Sequence, residues 1–305
     1  MLDWFAPATF AAFVWWASTG VVLVLVRLKA PRMQQTMLCA SIVAVAALFA
    51  LVSSSQGTTV GEAYVAFLCA VVVWGWHELA FLCGWLTGPR RAACSQGCRG
   101  WPHFLHAIEA ILWHELAIAA TAALIVALTW DAPNPTGTFT FLVLWAMRVS
   151  AKLNLFFGVR NLGLEFLPRR MRYLTSFFRR RPMNMLFPFS VTLPTAVAAL
   201  VIEAALAPGV PESRATGLAL VATLLALAIL EHWMMVLPMP LTPLWKWAIE
   251  TGRRRSGSAR VARAAAVRGG PVAPLSVRAP PLEIAALPAG KLERRTAVVP
   301  LEPIP

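Results

Sequence analysis

The chain has 305 residues, 58% of them hydrophobic and only 13% charged, which excludes an ordinary soluble domain and makes a bilayer its natural solvent. Its 27 Lys and Arg against 14 Asp and Glu give a net charge of +13, but the cations are gathered in a few loops and a C-terminal stretch, so nucleic-acid binding is discounted. Five cysteines are an odd number, and with Cys39, Cys69 and Cys83 inside apolar segments no disulfide framework is implied.

Crossing about 30 Å of hydrocarbon takes roughly 20 apolar residues, and the span must be helical so that its backbone groups are satisfied internally. The N-terminus, Met1-Leu-Asp-Trp-Phe, lacks the basic n-region of a signal peptide and opens an apolar stretch of about 22 residues, which predicts a retained first helix. Seven stretches qualify, near 6–27, 36–54, 63–86, 107–129, 138–158, 188–207 and 216–238. The expected fold is therefore an all-α membrane protein of about seven transmembrane helices, occupying residues 1–250.

Orientation follows from the connections. The first carries Arg27, Lys29 and Arg32, the third Arg90, Arg91 and Arg99, and the fifth Arg160, Arg169, Arg170, Arg172, Arg179, Arg180 and Arg181. The second, fourth and sixth carry almost no cations. That alternation predicts an N-out, C-in topology with an odd number of spans. In the fifth connection, Arg169-Arg-Met-Arg-Tyr-Leu-Thr-Ser-Phe-Phe-Arg-Arg-Arg mixes cations with aromatics as an interfacial amphipathic helix on anionic lipid would. Residues 251–305 are rich in Ala, Pro, Arg and Gly, cannot bury a core and are expected to form a disordered basic cytoplasmic tail.

A short repeat stands out in two adjacent spans, Trp76-His77-Glu78-Leu79-Ala80 and Trp113-His114-Glu115-Leu116-Ala117. Counting from the basic ends of these antiparallel helices puts both His-Glu pairs roughly 12 Å deep. Glu231 and His232 in the seventh span reach a similar depth, as does Lys152 in the fifth, with Arg148 a turn further in. A charge within a span costs at least about 2.5–3.5 kcal/mol, so these groups are expected to face one another or a wet cavity.

Three readings of this polar layer stand side by side. It is an ion-pair and hydrogen-bond network that fixes helix packing. Alternatively, His77, Glu78, His114, Glu115, Glu231 and His232 offer ligands for iron, zinc or manganese, although adjacent residues point about 100° apart and Arg148 and Lys152 oppose a cation. In the third reading a tetrapyrrole or quinone binds there between tryptophan walls. Most of the 13 Trp, including Trp15, Trp16, Trp130 and Trp247, are expected in interfacial belts, with Trp76, Trp113 and Trp145 as interior exceptions. Cys94 and Cys98, four apart and near His103, are a weak zinc signal. There is no phosphate-cradling glycine loop and no Ser-His-carboxylate pattern, so nucleotide-driven pumps and hydrolases lack support.

Four blocks together resemble one family: Trp74-Gly-Trp-His-Glu-Leu-Ala-Phe-Leu-Cys-Gly-Trp-Leu-Thr-Gly-Pro-Arg-Arg, Ile111-Leu-Trp-His-Glu-Leu-Ala-Ile, Leu144-Trp-Ala-Met-Arg-Val-Ser-Ala-Lys-Leu-Asn-Leu-Phe, and Ser176-Phe-Phe-Arg-Arg-Arg-Pro-Met-Asn-Met-Leu-Phe-Pro. They look like the photosynthetic complex assembly protein 2 family, of the PuhE type, found with reaction-centre H-subunit genes in anoxygenic phototrophic bacteria. The resemblance covers roughly residues 5–250, and His77, Glu78, His114, Glu115, Arg148, Lys152 and Asn154 occupy its motif positions. It implies an assembly factor for the reaction centre and light-harvesting complex, with their subunits or bacteriochlorophyll (or a precursor) as partners alongside membrane lipids. A membrane metal-dependent oxidoreductase acting on a pigment precursor is the alternative, and a transporter the second alternative.

Overall fold

A computed structural model of the chain describes residues 4–28, 30–95, 97–238 and 245–247. The basic tail expected over 251–305 lies outside these residues. Seven α-helices follow one another: α1 (Phe5–Leu25), α2 (Ala30–Ser55), α3 (Val60–Leu82), α4 (Gly100–Leu128), α5 (Thr136–Phe157), α6 (Phe187–Leu206) and α7 (Glu212–Val236). Each is long and apolar enough to cross a membrane, and no strand occurs among the described residues. The protein is thus an all-α, multi-pass membrane protein in contact with lipid.

Local chemistry explains the helix ends. Thr59 and Glu62 form a capping box at the start of α3: the Thr59 hydroxyl accepts from the Glu62 amide and the Glu62 carboxylate accepts from the Thr59 amide. The sequence pattern carried this span to residue 86, but α3 ends at Leu82 because Gly84 adopts a left-handed conformation (φ 75°) and Trp85 N–H turns back to the Ala80 carbonyl. At its other extreme, α4 begins at Gly100 instead of near 107. Its first two turns project past the expected boundary and carry His103 and His106.

Helix α3 is the centre of the bundle, the most buried of the seven spans, and it packs against α1, α2, α4, α5 and α7. Helix α6 packs chiefly on α7. The outward faces carry Phe13, Leu38, Ile42, Phe49, Phe189 and Leu193, all exposed, as a surface solvated by acyl chains requires. Close helix approach rests on small residues: a Cβ on Gly217 would fall 2.1 Å from the Thr136 hydroxyl across the α5–α7 contact.

The fifth connection holds a helix where the sequence placed one, but it is a nine-residue 3-10 helix, Arg169–Phe177. Met171, Leu174 and Phe177 are spaced three apart and all buried, the period that a three-residue turn brings to one face. They pack on Phe81 and Ala110.

Candidate functional site

Adjacent helical residues diverge by about 100°, so each His-Glu pair of the repeat serves two different neighbours. From α3, Glu78 turns to α5, where Arg148 donates through Nε and Nη2 at 3.2 and 2.8 Å, a two-pronged ion pair. Its neighbour His77 turns to α4 and meets the Thr121 hydroxyl at 3.0 Å through Nε2. From α4, Glu115 accepts from Lys152 and, at 3.4 Å, from the Trp145 indole N–H. His114 is fully buried, stacks on Phe81 with ring centroids 4.4 Å apart, and has no hydrogen-bond partner at either ring nitrogen.

On α7, Glu231 accepts from the Trp15 indole N–H at 2.8 Å. His232 Nδ1 lies 2.8 Å from the Ala228 carbonyl, which can only accept, so the ring proton sits there and Nε2 takes the Ser150 hydroxyl at 2.9 Å. The three carboxylates therefore reach three different solutions: a guanidinium, an ammonium and an indole.

The single layer read from the sequence resolves into two groups. Glu78, Arg148, Glu231 and His232 line a partly open cavity of about 360 Å³ bordered by α1, α3, α5, α7 and the fifth connection. Trp15, Trp74 and Trp245 join aliphatic side chains in its apolar wall, with Gly75 opening the α3 side. His77, His114, Glu115 and Lys152 do not line it and are gathered where α4 meets α3 and α5. The six His and Glu side chains considered as metal ligands are divided between these groups; His77 Nε2 meets Thr121 and His232 meets Ser150 and Ala228, whereas His77 Nδ1 and both nitrogens of His114 are buried without a hydrogen-bond partner.

The tryptophans are also redistributed. Trp15, assigned to a belt, sits mid-helix on the cavity, whereas Trp113, expected inside, is 51% exposed on the outer face of α4. Trp76 does reach inward and donates to the Ser41 hydroxyl at 2.9 Å. The physical reason is helix phase: neither position was distinguishable by hydrophobicity alone, since Trp is tolerated on both faces.

The arginines of the fifth connection have two fates. Arg170 donates to the carbonyls of Cys83 and Val26, both at 3.1 Å, capping the C-termini of α3 and α1 where a cation is favourable. Arg179 lies over the Phe156 ring at 5.5 Å. Arg169, Arg172, Arg180 and Arg181 are exposed around them.

The buried pair Asn154 and Asn184 links α5 to the start of α6, and only Asn154 was singled out in the sequence. Asn184 donates to the Asn154 side-chain oxygen and to the Gly158 carbonyl, both at 3.0 Å, while its own oxygen accepts from the amides of Leu186 and Phe187 at the start of α6. The available signal was an Asn three residues before the Phe-Pro that opens a span, the place of a helix cap.

The family model for "Protein of unknown function (DUF3623)" matches residues 1–256. An uncharacterised 30.4 kDa protein in the puhA 5' region of Rhodobacter capsulatus is 40% identical over 242 residues, covering 78% of this chain and 88% of that protein. No solved structure matches the chain.

Proposed function

Since the chain belongs to the family of proteins of unknown function DUF3623, we propose that it acts as an integral-membrane assembly factor for photosynthetic reaction-centre and light-harvesting complexes. The observation that carries this reading is the 40% identical relative in the puhA 5' region. It agrees with the resemblance of the four sequence blocks to PuhE-type assembly proteins, which are found with reaction-centre H-subunit genes. The membrane is then the bacterial inner membrane, with the basic ends of the helices in the cytoplasm.

The site for a partner is the cavity with the Glu78–Arg148 pair and Glu231 on its wall. At about 360 Å³ it is near the small end of ligand pockets, which run from about 300 to 1,000 Å³. That size favours side chains of a partner's transmembrane helix, or one edge of a bacteriochlorophyll, over an enclosed pigment. The exposed arginines of the fifth connection offer an electrostatic contact to anionic lipid or to acidic segments of the same partner.

The test is purification from the phototrophic host in mild detergent, for the native chain and for Glu231→Gln. The native chain is expected to carry reaction-centre or antenna polypeptides, with or without bacteriochlorophyll. Glu231→Gln keeps an oxygen acceptor for Trp15 but loses the charge, so it should fold normally and lower the yield of assembled complex. A chain that co-purifies with none of these polypeptides and no pigment, in a host whose complex yield is indifferent to its deletion, would sink the proposal.

A further inference from the structure

The early start of α4 has a chemical result at the basic end of the bundle. His103 and His106 are one helical turn apart and so share a face, and that face meets the third connection at Cys94 and Cys98. Cys94 Sγ and Cys98 Sγ are each 3.4 Å from the same atom, His106 Nδ1, and His103 Nδ1 is 3.3 Å from Cys94 Sγ. The ligand atoms of Cys94, Cys98 and His106 all lie within 4.8 Å of one another.

We propose that Cys94, Cys98 and His106 bind a divalent zinc-class ion, with His103 as the fourth ligand. The alternative, a set of thiol–imidazole hydrogen bonds, fits poorly. The single Nδ1 of His106 would have to be shared by two thiols at the same distance. A shared ion resolves that conflict, because every donor then points at one centre. With Zn–S near 2.3 Å and Zn–N near 2.0–2.1 Å, the sulfur–nitrogen edge of a tetrahedron is about 3.5 Å, close to the three observed separations. His103 stands just outside the group of three and in reach of Cys94, so it completes the tetrahedron when the ion draws the four donors together.

The donor chemistry selects the ion. Two thiolates and two imidazoles suit zinc and disfavour magnesium or calcium, which take oxygen. Two thiolates also cancel the charge of a divalent ion, so the arginines of this end do not oppose it. The cysteine spacing falls within the zinc range, whereas the histidines are one residue closer than in most zinc fingers, a spacing that one turn of α4 accommodates.

The site joins several elements. The Cys94 amide donates to the Ser176 hydroxyl of the 3-10 helix at 2.9 Å, and the His103 ring packs against Phe156 of α5 and Phe177 of the 3-10 helix. An ion here staples the third connection, α4, α5 and the arginine-bearing fifth connection into one platform, with four protein ligands and no open position, as in structural zinc sites.

The experiment uses the full chain in mild detergent with a non-chelating reductant. After chelation and reloading with zinc, the native chain is expected to retain about one ion per molecule, and Cys94 and Cys98 to resist alkylation until chelator is added. Cobalt in place of zinc should give thiolate charge-transfer bands and the intense visible absorption of a tetrahedral centre. The double variant Cys94→Ser with Cys98→Ser should lose the ion, whereas His106→Cys should keep it with stronger thiolate absorption. Because the native chain is itself the first readout, a folding defect in a variant does not blur the result. Reduced native protein that takes up no metal and alkylates equally with and without zinc overturns the proposal, as does a double variant that binds as much as the native chain.

Discussion

A buried carboxylate in a membrane-spanning helix is costly without a partner for its charge, and for Glu115 that partner is Lys152, a helix away on α5. Both side chains are mostly shielded, at 24% and 19% exposure, so removing one partner strands the other. Glu115→Gln alone is expected to cost about 3–5 kcal/mol, while Glu115→Gln combined with Lys152→Met recovers most of it. Denaturation of the detergent-solubilised chain reads this directly, and a double variant no more stable than the sum of the singles would show that the two do not act as a pair. The His-Glu repeat was visible in the sequence, and so was the need for counter-charges. Which cation serves which carboxylate was not, because pairing depends on the rotation of α3, α4 and α5 about their axes.

At the scale of elements, the segment after α3 lies directly on the backbone of α4. The His114 amide donates to the Thr87 carbonyl at 2.8 Å, and Arg90 N–H to the Glu109 carbonyl at 3.4 Å. Gly88 makes the approach feasible: a Cβ there would sit 1.9 Å from the Glu109 carbonyl oxygen, a backbone atom that cannot swing aside. Gly88→Ala is therefore expected to destabilise by about 1–3 kcal/mol or more, measurable as a lowered unfolding temperature. An unchanged unfolding temperature would mean that the segment lifts off α4 at little cost. The length of the apolar runs found all seven spans, since each needs about 20 apolar residues to cross. It missed the first turns of α4 and the 3-10 geometry of the fifth connection, where polar residues are held by contacts to other elements instead of by their own hydrophobicity.

At the scale of the whole molecule, the cavity separates occupancy from stability. A Cβ on Gly75 meets nothing within 4 Å, so Gly75→Leu should fill the cavity from the central helix without disturbing packing. Its unfolding temperature should equal or exceed that of the native chain, because Gly in a helix costs about 1 kcal/mol relative to good helix formers. Complex yield in the host should nonetheless fall, and an unaltered yield would show that no partner uses the cavity. Hydropathy by itself determined the number of helices and their approximate limits, because the bilayer imposes one length and one hydrogen-bonding solution on every span. Only the tertiary structure decided that Glu78 and Arg148 face a cavity while Glu115 and Lys152 do not. It also decided that Trp15 turns inward and Trp113 outward, and that His106 joins Cys94 and Cys98. Those outcomes rest on helix phase and crossing geometry, which a one-dimensional pattern of apolar and polar residues does not encode.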